Sequence, residues 1–508
     1  MKTWSGNSWI ACGLVGAALI SGDAAAVTLR VASASPSLSF TNEPFNTLPT
    51  AISQAPAAIF DPLLRLGPDG QMEAVLAESW TATSPTTWEF KLRKGVVFSN
   101  GEPFDAAAVK YTIEWLKSPA ARTQLIASEV RVVERIDVVD PHTVVFTTAK
   151  PDAVLPKRLS IVYMVPPTAF AELGVENFRR APIGTGPYAI KEWGQERGRM
   201  ILEANPTAWL KPRQIDRVEV FSLIDPITRV QALTSNQVDI AYAVNHDDLD
   251  HLREIGFNIS VKQESQVMAL ALRSDGPPGA ALTDVRVRQA LNYAVDKEGI
   301  AKVFYNGLAQ AVGQGAIAGT FGYNPDIKPY PYDPAKAKSL LAEAGFANGL
   351  KLKARIVTGQ YVGDAAVYQK MAADLAAVGV QVELNGILPQ EWMQIYTVGD
   401  WHETDAISIS WQSAVYGDTI RAIEPFSCRK PGKFFCAPDL EPLIDASNAN
   451  LDPAGRERQL QQIMARLHDE APTIFLVNLT TVIAFSPRVK DIVATRSGFR
   501  FERMTLTP

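Results

Sequence analysis

The chain has 508 residues, 47% of them hydrophobic and 20% charged, with a formal net charge of -5. These proportions exclude a wholly disordered chain, and the scattered Gly and Pro exclude a collagen-like one. The acidic balance argues against a nucleic-acid partner, and no apolar run after the N-terminus reaches the ~18 residues of a membrane-spanning helix.

Lys2 precedes an apolar stretch from Trp9 to Ile20, and Asp23 is followed by the small residues Ala24-Ala25-Ala26. This reads as a signal peptide over residues 1–26, cleaved near Ala26. A buried N-terminal helix is the alternative. Cys12 lies inside the apolar run, not at its end as a lipid-anchored cysteine would, so a soluble exported protein is expected. Cys428 and Cys436 remain after cleavage. An even pair in an exported protein reads as a disulfide, and the turn formers Pro431-Gly432 lie between them. Two buried free thiols are the other reading; no His in the segment supports a metal site.

Val27 to Val31 alternates apolar and polar residues and predicts the first strand, followed by a loop over 36–56. Trp88 to Arg93 alternates strictly and is a half-buried strand. Asp105 caps a helix to about Lys117, with Val109 and Ile113 on one face. Asp140-Pro141-His142 is a turn between two strands. Strands follow at 218–221 and 239–242, with a helix over 227–235 between them. Thr283 or Asp284 opens a helix, and Asp333 and Asp452 each open one with Pro at the first helical position. Ala365 to Ala377 is a helix, and strands fall at 380–384, 474–477 and 481–485. Alternating helices and strands make the class α/β.

Catalytic signatures are absent: there is no phosphate-binding G-x-x-x-x-G-K-[ST], no H-E-x-x-H and no G-x-S-x-G. Gly184-Thr185-Gly186-Pro187-Tyr188-Ala189 mimics a dinucleotide turn, but Pro187 and the alternating residues after it open a strand, not the helix such a turn needs. His246 and His251 lie among Asp247, Asp248 and Asp250 and read as solvated surface. No cofactor is implied.

Four segments, in order, resemble one family. Leu76 to Trp80 precedes Trp88-Glu89-Phe90, Leu92-Arg93-Lys94-Gly95-Val96-Val97-Phe98 and Asn100-Gly101-Glu102-Pro103-Phe104. Pro182 to Tyr188 follows, then Asp284 to Leu291 with Tyr293 to Asp296, then Ala471 to Ile474 and Ser486 to Val489. The chain resembles the solute-binding proteins of the dipeptide/oligopeptide/nickel group, extracellular solute-binding family 5, which serve ABC importers.

The resemblance implies a type II periplasmic-binding-protein fold: two lobes around a hinge, with an extra domain inserted in the first. Lobe I would comprise 27–55, 183–268 and 472–508, the insert 56–182 and lobe II 269–471. The implied protein is a non-catalytic, monomeric, periplasmic binder. It passes a peptide or other small polar ligand to the transmembrane subunits of an ABC permease. Peptide-binding members anchor the ligand's amino terminus on an Asp shortly after a Trp; counted from Trp411, that place holds Ala414. Asp418 better matches a second, structural Asp. The carboxylate-anchoring Arg of dipeptide binders has no counterpart in Thr358-Gly359-Gln360-Tyr361. A buried zwitterion without partners is costly, so an ordinary free dipeptide is disfavoured.

The nominated ligand-binding residues are Trp411, Gln412, Tyr416, Asp418 and Arg421, with Gln360, Tyr361, Trp392 and Tyr396. In the loop after the first strand, Phe40 and Asn42 join them. The alternatives are a binder of a nickel chelate, oligosaccharide or opine, a sensory protein of the same fold, or a secreted hydrolase.

Overall fold

The structure is a computed structural model. It describes Met1 and residues 26–507 apart from 34–43, 46–53, 68–69, 195–197, 278, 412 and 496–497. The signal peptide, most of the 36–56 loop, Phe40, Asn42 and Gln412 therefore lie outside the described residues.

The strands of the two larger sheets are, in chain order, β1 (Thr28–Ser33), β2 (Ala77–Ser84), β3 (Thr87–Leu92), β4 (Val133–Asp140), β5 (Thr143–Thr148), β6 (Tyr188–Gly194) and β7 (Arg199–Ala204). They continue with β8 (Arg217–Ser222), β9 (Ile240–Tyr242), β10 (Asn258–Leu272), β11 (Leu350–Ile356), β12 (Val380–Gly386), β13 (Ala406–Trp411) and β14 (Thr473–Phe485). Ten form one sheet in the order β12-β11-β13-β10-β14-β9-β1-β8-β7-β6. Four form a separate antiparallel sheet, β2-β3-β5-β4. In the chain, all four lie between β1 and β6, so this sheet is an insertion between strands of the large one.

The helix starts follow from their aspartates. Asp105 accepts from the N–H groups of Ala107 and Ala108, and Asp225, Asp284, Asp333 and Asp452 each accept from one N–H in the first turn of their helix. Each satisfies donors that the helix itself leaves orphaned. The helix opened by Asp105 buries Val109, Thr112, Ile113 and Leu116, the stripe its sequence marks.

Two strands hold the halves of the large sheet together. β10 and β14 run antiparallel along almost their whole length. At one end they reach β9, where Ile240 pairs with Phe485. At the other, β10 carries β13, with Val267 opposite Trp411 and Leu272 opposite Ala406. Their register breaks between Gln263–Thr480 and Val267–Asn478. Sequence reading splits β14 into strands at 474–477 and 481–485, and this is corrected: Asn478-Leu479-Thr480 contains no breaker, and β10 pairs with both ends. β10 itself went unpredicted.

Gly184 and Gly186 mark a close approach. A Cβ at Gly184 would stand 2.0 Å from the Ile59 carbonyl oxygen, and one at Gly186 2.5 Å from that of Ala58. This is where the chain returns from the insert to the main sheet. His246 departs from the surface reading. It is buried, shares a 3.2 Å hydrogen bond with the Thr480 hydroxyl and meets the Tyr305 ring edge-on.

Candidate functional site

The segment after β13 meets the insertion between β1 and β6. Trp411 ends β13 in the core: its indole stacks on Phe426 at 4.7 Å and lies near Phe434 and Phe475. Tyr416 and Asp418 are fully buried. The Asp418 carboxylate accepts from both terminal nitrogens of Arg456 (2.6 and 2.9 Å) and from Lys157 Nζ (2.7 Å). Burial pushes its pKa up, but Arg456 and Lys157 outweigh this and hold it below the usual range.

A second network crosses the same contact. Arg158 of the insert is buried and pairs with Glu129 at 3.2 Å, with Asp152 at 3.5 Å and with Glu424 beyond β13. Arg421 reaches Glu129 from the opposite side at 3.2 Å. Ala153 N–H donates to the Asn448 carbonyl at 2.6 Å. Charges from the insert and from the segment after β13 thus neutralise one another where the two meet.

The compensation is incomplete. Trp411 Nε1, Ser413 Oγ, the Tyr416 hydroxyl, Arg421 Nε and Lys430 Nζ are all buried without a hydrogen-bond partner among the described residues. Each can donate a hydrogen bond. Lys430 Nζ lies over the Tyr396 ring, 2.9 Å from its centroid. Burial, reinforced by Arg421, pushes the Lys430 pKa down to about 6. Tyr396 stacks on Trp392 at 4.7 Å, and Trp392 Nε1 donates to the Ser408 carbonyl of β13 at 2.6 Å.

Of the nominated residues, Trp411, Tyr416, Asp418 and Arg421 fall in this region, and Trp392 is linked to it through Tyr396. Tyr361 attaches to β13 through Ser410, hydroxyl to hydroxyl, at 3.0 Å. Gln360 is exposed, and its backbone N–H donates to Asp364. Glu129, Lys157, Arg158, Glu424 and Lys430 were not nominated. The first three lie far away in the sequence. Lys430 had one local signal, a cation between the two cysteines. Those cysteines are joined: Cys428 and Cys436 form a disulfide. Among the described residues there is no cluster of three or more metal-ligating side chains. Two open depressions, of about 630 and 410 Å³, lie elsewhere, beside Lys351–Lys353 and beside Tyr330 and His468.

Comparison with known proteins bears on this geometry. The family described as bacterial extracellular solute-binding proteins, family 5 middle, matches residues 71–433. The glutathione-binding protein GsiB of Escherichia coli K12 is 25% identical over 476 residues, 91% of each chain. The crystal structure of NikA from Brucella suis in complex with Fe(III)-EDTA is 26% identical, with a TM-score of 0.80 over 94% of this chain and 100% of that one. The ABC transporter-associated periplasmic binding protein DppA from Helicobacter pylori, in complex with the peptide STSA, has a TM-score of 0.80 at 22% identity, over 95% and 98%.

Proposed function

The chain is a solute-binding protein of bacterial extracellular family 5, and we propose that it is the periplasmic component that captures a small polar solute for an ABC importer. The solute would lie between the insert and the segment 411–430, among the unpartnered donors there. That run of buried donors is the observation that carries the reading. Protein groups left unpaired in a low-dielectric site cost stability unless a ligand pairs them. The interlobe contact supports a closing motion: Lys157–Asp418, Arg158–Glu424 and Arg421–Glu129 all bridge the two sides. The register break in β10 and β14 is the natural hinge, since these strands join the halves of the large sheet. The lobe boundaries near 268 and 472 belong to this reading. So do a monomeric state, cleavage near Ala26 and the lack of turnover.

Glutathione, peptides, metal chelates and opines are the solute classes to test, because similar proteins carry glutathione, a peptide or Fe(III)-EDTA in their names and titles. The test is a thermal melt of residues 27–508 against that panel, with neutral oligosaccharides added. A ligand at about 100 times its Kd contributes about 2.7 kcal/mol, a readable shift. A shift without product formation supports the reading. Hydrolysis of a panel member would sink it.

A further inference from the structure

Lys430 sits on the loop closed by the Cys428–Cys436 disulfide, and the loop is fixed on several sides. A Cβ at Gly432 would stand 2.2 Å from the Tyr396 carbonyl oxygen, so the loop packs directly on the helix Pro389–Val398. Trp401 Nε1 donates to the Lys433 carbonyl at 3.1 Å. The Ser274 N–H and hydroxyl donate to the Phe434 carbonyl at 2.7 and 3.1 Å. Lys430 is held over Tyr396, beside a like charge on Arg421.

Neighbouring buried charges are matched: Asp418 by Arg456 and Lys157, Arg158 by Glu129, Asp152 and Glu424. No carboxylate among the described residues pairs with Lys430, and an isolated buried ammonium is expensive. We infer that Lys430, with Arg421 Nε and the Tyr416 hydroxyl, is the seat of a carboxylate on the transported solute. This rests on the binding reading above and narrows it to organic acids. Charge matching selects a monoanion. Arg158 and Arg421 already meet three carboxylates, Glu129, Asp152 and Glu424, so among the described residues the Lys430 ammonium is left for the solute, and a phosphate dianion would add still more negative charge beside Glu129 and Glu424. The two oxygens of a carboxylate can accept from three donors.

The experiment uses paired probes on residues 27–508. Glutathione and trialanine are compared with their esterified and amidated forms, alongside maltotriose and glucose 6-phosphate. The expected result is that a free carboxylate raises the melting temperature and its masked form does not. Lys430→Met should weaken the effective probe by about tenfold or more, and Lys430→Arg should restore most of the loss. Without ligand, K430M should melt higher than the parent, because it removes a buried amine whose charged form has no partner among the described residues. Equal binding of masked probes or maltotriose, or a preference for glucose 6-phosphate, overturns the seat. So does a K430M variant that melts lower, since Lys430 is then structural. If no probe moves the melt, the solute-site reading itself fails and the seat with it.

Discussion

Asp418 and Lys430 lie close together in sequence on one side of the same interface, and both are buried charges. Asp418 is saturated by a bidentate Arg456 and a bridging Lys157. Lys430 has an aromatic face and, among the described residues, no anion. The first arrangement can stand by itself and holds the insert against the segment after β13. The second has no anion among the described residues, and the proposed solute carboxylate would supply it. Stability and binding are thus assigned to separate charges within one contact.

The largest break in this comparison comes from the saturated side. Arg456→Met leaves Asp418 with the Lys157 ammonium and the Ile420 N–H and should cost about 3 kcal/mol or more in denaturant unfolding, as removal of one partner of a buried pair does. An effect under about 1 kcal/mol would show that Asp418 is not held as described. Next in size is the Cys428→Ser, Cys436→Ser double variant. The loop-closure model gives a loss of about 2–3 kcal/mol for so short a loop. It also frees Lys430, so solute affinity should fall together with stability.

pH sharpens the contrast because the two groups respond in opposite directions. Asp418 is depressed in the fold, so its contribution is full above the ordinary carboxylate range and is lost as pH falls through its lowered pKa. Lys430 is a depressed base. The unfolded chain holds its proton up to about pH 10, whereas the fold has released it above about 6. Between those limits, stability attributable to Lys430 rises with pH, so the gain from K430M should be largest at or below about pH 6 and shrink toward pH 10. Arg421 and Tyr396 face this ammonium, with Glu129 and Glu424 beyond them. Carboxylate affinity should fall as pH rises above about 6, since binding must restore the proton; calorimetry in two buffers would read the uptake. The smallest effect is expected outside the contact. Arg286→Ala breaks a half-exposed pair with Asp284 and should change stability by under about 1 kcal/mol.

Local chemistry was legible in the chain. The aspartate caps and the strand over 88–93 depend on neighbours in sequence. β10 was harder because its periodicity changes along its length. Asn258 to Lys262 alternates, whereas Val267 to Leu272 is apolar throughout because that end is covered on both faces. Trp411 and Arg421 could be nominated from the family resemblance, which puts ligand anchors shortly after a Trp. Lys157 and Arg158 could not, because Asp418 and Glu424 meet them only after the insert has folded against the rest. Lys430 is legible only as an absence of partners, which no sequence pattern encodes.

β14 lies in the middle of the large sheet, between β10 and β9, yet it is made from residues 473–485, near the end of the chain. Synthesis order and sheet order are therefore at odds. β1, β8 and β9 can assemble early, and β11, β12 and β13 can follow, but these groups are not joined through a complete sheet until the last long strand arrives. Such long-range pairing is slow to form. A chain interrupted before residue 473 would keep much of its sequence and lose the centre of its architecture, with β9 and β10 left as open edges prone to pair with other chains.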